Sequence, residues 1–176
     1  ITGAMPNGTG LDMFADKFKS RFFDVGIAEQ HGVTLCAGLA ASGYIPVIPL
    51  YSSFLQRAYD QVLHDVCLQN LHVVFPIDRA GIVGSDGETH QGVYDISYLS
   101  SMPNMTILSP SNFNEFEKML DYAINIHSGP VTIRYPRGYA QFENPCEFEP
   151  RKVQNIRSGK DILIISSERM LNTAFS

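Results

Sequence analysis

The sequence predicts an α/β domain: a mostly parallel sheet flanked by helices. Apolar, β-branched runs alternate with helix-length stretches from Phe22 to about Arg137. The runs lie too far apart for hairpins, so each intervening helix serves as a crossover between parallel strands. Hydrophobic residues make up 44% and charged residues 18% of 176 positions, the balance of a globular chain with a full core.

In order, residues 21–26 (RFFDVG) read as a short strand. Residues 28–43 (AEQHGVTLCAGLAASG) read as an apolar helix with Gly43 as its C-terminal cap. Residues 44–51 (YIPVIPLY) read as a buried strand, residues 54–69 as one helix, and residues 72–77 (HVVFPI) as the next strand. A glycine loop, GSDGETHQG, follows at residues 84–92. Strands at 105–110 (MTILSP) and 130–136 (PVTIRYP) flank an amphipathic helix at 112–126, with Asn112 or Ser111 as its N-cap.

After Arg137 the pattern fades. The expected organisation is a domain over 1–138, a linker over 139–160 with prolines and mixed charge, and the start of a further, truncated domain over 161–176. KDILIISS reads there as an isolated strand with a short amphipathic tail, RMLNTAF. The chain begins with Ile1 and ends soon after this strand, so it reads as a piece of something longer.

A formal charge of -5 gives non-specific nucleic-acid binding no electrostatic support. No apolar run approaches the roughly 18 residues of a membrane helix. Cys36, Cys67 and Cys146 are odd in number and widely spaced, which argues for free thiols in a reducing compartment, here the cytoplasm. Cys36 and Cys67 lie in apolar patterns and read as small core residues.

In parallel sheets ligands gather beyond the carboxyl ends of strands, and Ser52, Arg79, the glycine loop and Arg137 all follow strands. Glu29 falls in the first turn of an apolar helix. It reads either as a capping acid facing solvent or as a partly buried carboxyl that trades a proton with a ligand nitrogen. Tyr51, Phe54 and Arg57 can wall a pocket for a flat heterocycle; alternatively Phe54 is core and Arg57 pairs with Asp60 or Asp24. Arg79 and Arg137 present planar forks suited to phosphate, or else make surface salt bridges. His90, on the loop with Asp86 nearby, can exchange a proton with a carbonyl or hydroxyl. The other histidines lack metal-ligand spacing, and no metal ligand is expected in this chain.

FFDVGIAEQHGV, YSSFLQRAYDQVLHDV, DRAGIVGSDGETHQG, DISYLSSMPNMTILSP and RYPRG, in that order, resemble the 1-deoxy-D-xylulose-5-phosphate synthase family, transketolase-like enzymes that use thiamine diphosphate. The resemblance covers residues 1–138 closely and the rest more weakly. It implies a pyrimidine-binding domain in which Glu29 hydrogen-bonds the aminopyrimidine ring nitrogen and favours its imino tautomer. It further implies that Phe54 stacks on that ring, Ile27 braces the cofactor, and Tyr51 and Arg57 line the cavity. Arg79 and Arg137 are implied to hold the phosphate of glyceraldehyde 3-phosphate, with Asp86 and His90 beside the new carbon–carbon bond. The implied reaction joins pyruvate to that acceptor, releases carbon dioxide and feeds isoprenoid, thiamine and pyridoxal precursor synthesis.

The family's diphosphate-and-magnesium segment, a Gly-Asp-Gly with a downstream Asn, is absent. The Mg2+ ligands are therefore expected in an amino-terminal domain outside this chain, the fragment alone is expected to be inactive, and the full-length protein is expected to be a homodimer. Two other readings compete: a transketolase, including the carboxy-terminal subunit of a split one, and a non-catalytic scaffold. FLQRAYDQ, DRAG and YPRG favour the synthase.

Overall fold

The computed structural model describes residues 1–138, 148–168 and 170–175. Its strands β1 (Leu50–Tyr51), β2 (Val74–Asp78), β3 (Thr106–Leu108) and β4 (Val131–Arg134) form one sheet in the order β1-β2-β4-β3. Every pairing is parallel, with Leu50 beside Ile77 and Val131 between Val74 and Thr106. The α-helices are α1 (Asp12–Lys17), α2 (Glu29–Ala41), α3 (Ser52–Leu55), α4 (Asp95–Leu99), α5 (Phe113–Asn125) and α6 (Met170–Phe175).

The central strands β2 and β4 are buried along their length, as parallel strands covered on both faces must be. β2 divides its side chains with period two. Phe75 and Ile77 join Val33 and Cys36 of α2, Leu55 of α3, and Val62. Val74 joins Met119 and Ala123 of α5 on the opposite face. α5 starts as the sequence implies: Asn112 Oδ1 accepts the Glu115 N–H at 2.9 Å, and the Glu115 carboxylate accepts from the Ser111 N–H at 2.7 Å. Gly43 closes α2 at φ 87°. Cys36 and Cys67 are buried free thiols, pushed up by burial to about 12 and about 11; Cys146 lies outside the described residues.

Several expected elements change. Residues 21–26 give only a bridge between Thr2 and Asp24, because their partner is the chain's first turn and not a strand. Pro46 and Pro49 lack donors, so the strand expected over 44–51 pairs regularly only at β1, with a single bridge at Val47. The helix expected over 54–69 begins early, as α3, and changes hydrogen-bond register twice. A tight turn at Gln56–Ala58 leads into a π-helical stretch at Gln61–Cys67, where Leu68 N–H bonds the carbonyl five residues back at 2.9 Å.

KDILIISS is not a strand: it finds no partner among the described residues, and Leu163 and Ile165 are 84% and 86% exposed. Of the expected linker, residues 139–147 lie outside the described residues and 148–160 carry no helix or strand. The unexpected α4 buries Asp95, which accepts from Arg134 Nε at 3.0 Å and Nη2 at 3.2 Å. This bidentate pair ties the end of β4 to the helix that follows the glycine loop.

Candidate active site

The approach to α2 sets the position of Glu29. Asp24 Oδ1 accepts the N–H groups of Ala4 and Gly26, each at 2.9 Å, and turns the chain into the helix. Ala28 has no side chain to cap with, so Glu29 is the first helical residue and lies at the positive end of the helix dipole. Its side chain is 2% exposed, which removes the reading of a solvent-facing cap. Arg57 Nη1 lies 3.3 Å from Glu29 Oε2, yet that oxygen accepts no aligned hydrogen bond. Arg57 thus pairs with neither Asp60 nor Asp24. A buried carboxylate oxygen with an unused acceptor position is the group a ligand N–H donor would satisfy.

Phe54 lies on α3, three residues before Arg57. Tyr51 stacks on it with centroids 5.2 Å apart and planes at 20°, and His90 meets it edge-on at 5.3 Å. His90 Nδ1 and Thr89 Oγ1 share a hydrogen bond of 2.9 Å. Ile27 stands 75% exposed in the turn before α2.

The two arginines converge on one acid. Arg79 Nε donates to Asp86 Oδ2 at 3.2 Å, and Arg137 Nη1 donates to Asp86 Oδ1. Arg79 is held on every side: its Nη1 donates to Asp78 Oδ2 at 2.7 Å and to the Gly8 carbonyl at 3.2 Å, and its guanidinium lies 3.7 Å from the Tyr51 ring centre. Its backbone adopts φ 58°, and its N–H donates to Asp78 Oδ1 at 2.6 Å. Burial raises the Asp78 carboxyl above its usual range, and Arg79 opposes that rise. Burial likewise raises the Tyr51 phenol, against the pull of Arg79. Arg137, 43% exposed, also donates to Ser85 Oγ at 2.7 Å.

The loop carrying Asp86 and His90 is closed at its base, where Gly81 and Gly92 exchange backbone hydrogen bonds of 2.7 and 2.8 Å. Gln91 clips it from inside: Oε1 accepts the Val83 N–H at 2.9 Å and Nε2 donates to the Gly87 carbonyl at 2.7 Å. A Cβ on Gly92 would strike the Arg79 carbonyl and the Ser52 side chain, so only glycine lets the loop pass so close to β2. Asp78, Gly8 and the clipping role of Gln91 escaped the sequence reading. An acid ending a wholly apolar strand directly before Arg79 was the available signal for Asp78; Gly8 is remote in sequence and had none.

Polar groups gathered beyond the carboxyl ends of β1, β2 and β4, together with a buried acid at the start of α2 whose Oε2 has no donor, give the form of a ligand-binding α/β domain. The chain belongs to the transketolase pyrimidine-binding domain family, whose model matches residues 1–141. It is 57% identical to 1-deoxy-D-xylulose-5-phosphate synthase of Clostridium tetani, over 100% of this chain and 29% of that protein. It is 55% identical to the enzyme of that name from Lachnoclostridium phytofermentans, over 99% of this chain and 28% of that protein. The chain therefore spans less than a third of the length of these relatives.

A solved split-gene transketolase, described as an inactive β4 tetramer, superposes with a TM-score of 0.77 at 30% identity, over 92% of this chain and 53% of that one. Campylobacter jejuni transketolase gives 0.63 at 21% identity, over 76% of this chain and 22% of that one, a likeness of fold alone. The resemblance read from the sequence motifs is borne out.

Proposed function

We propose that the protein containing this chain binds thiamine diphosphate and condenses pyruvate with glyceraldehyde 3-phosphate. Carbon dioxide is released and 1-deoxy-D-xylulose 5-phosphate is formed, a precursor for isoprenoids, thiamine and pyridoxal. The observation that carries this reading is the buried Glu29, whose Oε2 has no hydrogen-bond donor and lies 3.3 Å from Arg57 Nη1. High identity to synthases supports the choice of reaction.

Thiamine diphosphate, when bound, would supply the nucleophilic carbon and the electron sink that decarboxylation needs. The residues of this chain do the rest. Glu29 shares a proton with a ring nitrogen of the aminopyrimidine, and Arg57, 3.3 Å from Glu29 Oε2, holds the acid in place. Phe54 and Tyr51 orient the ring, and Ile27 braces it from the turn before α2. Arg79 and Arg137 hold the acceptor's phosphate. Asp86 and His90 orient its hydroxyl and carbonyl, with His90 moving a proton at the carbonyl oxygen.

In this reading residues 1–138 are the pyrimidine-binding domain, 139–160 a linker and 161–176 the start of a further domain. Among the described residues no group of three His, Cys, Asp or Glu side chains gathers as a metal site. Magnesium and the diphosphate are assigned to a segment outside this chain, so the 176-residue piece alone turns over nothing. In this reading the complete enzyme is a cytoplasmic homodimer. Separately, no described helix is long and apolar enough to cross a membrane.

The likeness to the split-gene transketolase favours a second reading, ketol transfer between sugar phosphates. Donor use by the complete protein separates the two. Carbon dioxide released from pyruvate in the presence of the aldehyde phosphate supports the synthase. Transfer from a ketose phosphate, with no pyruvate consumption, overturns it.

A further inference from the structure

We propose that Asp86 is a resident anion in the Arg79–Arg137 fork, a tethered competitor that an entering phosphate dianion has to displace. That the fork receives the acceptor's phosphate rests on the function proposed above; the exchange itself is argued from the geometry.

The fork is already neutral. Two guanidinium groups, of Arg79 and Arg137, face two carboxylates, of Asp78 and Asp86. A phosphate entering with both acids in place would set three anionic groups around two cations, so one acid has to leave. Asp78 cannot: it ends the central strand β2, is 8% exposed, and accepts both the N–H and the Nη1 of Arg79.

Asp86 can leave. It sits at the turn of the loop between Gly84 and Gly87, which adopt φ 59° and 80°. The Gly81–Gly92 hydrogen bonds and the Gln91 clip hold the base while the turn re-forms. The exchange has an open side, because Arg137 is 43% exposed while Arg79 is 15% exposed.

The exchange raises the affinity that any anion needs to enter the fork. Asp86 is tethered and so competes at a high effective concentration. A free monocarboxylate replaces it with a group of the same charge and loses that tethering advantage. A dianion brings an extra charge and a third oxygen to the two guanidinium groups. Asp86 thus weakens every anion by the same factor.

The test titrates inorganic phosphate and acetate into the complete protein carrying this chain, as wild type, Asp86→Asn and Asp86→Glu, by calorimetry. Asp86→Asn is expected to bind both anions about tenfold tighter, while Asp86→Glu, which keeps the charge, stays within about twofold of wild type. Unchanged or weaker phosphate binding by Asp86→Asn overturns the proposal, as does equal tightening by Asp86→Glu. Because this readout needs no turnover, tightening in a protein that cannot condense pyruvate with an aldehyde phosphate upholds the exchange and sinks only the assigned reaction.

Discussion

Arg57 Nη1 stands 3.3 Å from Glu29 Oε2, pairing a base that is 49% exposed with an acid that is 2% exposed. The asymmetry decides what the contact does. Arg57 can stay hydrated, whereas Glu29 depends on it for compensation of a buried charge. Solvent around the guanidinium reduces the pair to less than a fully buried one. Arg57→Ala is expected to cost about 1–2 kcal/mol of stability, read as a lower urea midpoint. An unchanged midpoint would show that Glu29 is compensated elsewhere.

Gly92 is a steric prediction. A methyl group there meets the carbonyl of Arg79 and the side chain of Ser52, neither of which can rotate away freely. Gly92→Ala is expected to lose about 1–3 kcal/mol and to loosen the loop over 81–92, seen as faster amide exchange. Gly10→Ala, at a position with open space but φ 71°, separates backbone strain from collision, because it leaves the loop's exchange untouched.

The sheet and its helices were legible because burial on both faces writes continuous apolar runs such as HVVFPI, and because Asn112 and Gly43 are specific punctuation. Pairing was not legible where Pro46 and Pro49 interrupt it, since hydropathy does not register a missing donor. The hydrogen-bond register of residues 52–67 was hidden for the same reason: side-chain pattern changes little between α- and π-helical turns. At the site, Glu29, Phe54 and both arginines could be named from motifs. That Arg57 turns to Glu29, and that both arginines close on Asp86, are contacts between distant segments, and spacing along the chain carries no information on them.

His127 predicts an acid-sensitive term in stability. It lies 6.3 Å from the His72 ring, ring centre to ring centre, and its Nδ1 is 3.3 Å from the Tyr122 hydroxyl. Burial, and then the charge of His72, lowers its pKa from the usual 6.5. The unfolded chain therefore takes up this proton first as pH falls. The stabilisation is complete above the unfolded value and is lost as pH drops toward the folded one. The urea midpoint should decline on acidification below about pH 6.5, and His127→Gln should flatten that decline. An equal slope in both proteins removes His127 as the cause.

The buried thiols give a direct chemical check. Cys36 and Cys67 are held near about 12 and about 11, so little thiolate forms at neutral pH and reagents cannot reach it. In a Cys146→Ser protein, iodoacetamide should label neither cysteine until urea unfolds the chain. Labelling in native buffer would show that the core opens readily.

Arg137 separates acceptor binding from chemistry. In the complete enzyme, Arg137→Ala should raise the KM for the phosphorylated acceptor by about tenfold or more and leave the KM for pyruvate within about twofold. A rise confined to pyruvate would remove this guanidinium from the acceptor's phosphate.

The most direct measurement is the turnover of Glu29→Gln in the complete protein with saturating thiamine diphosphate, alongside its melting temperature. Glutamine keeps the shape and removes the exchangeable proton. The rate should fall by about a hundredfold to ten-thousandfold while the melting temperature stays within a few degrees. A rate within about twofold of wild type would contradict the proton-sharing role on which the proposed chemistry depends.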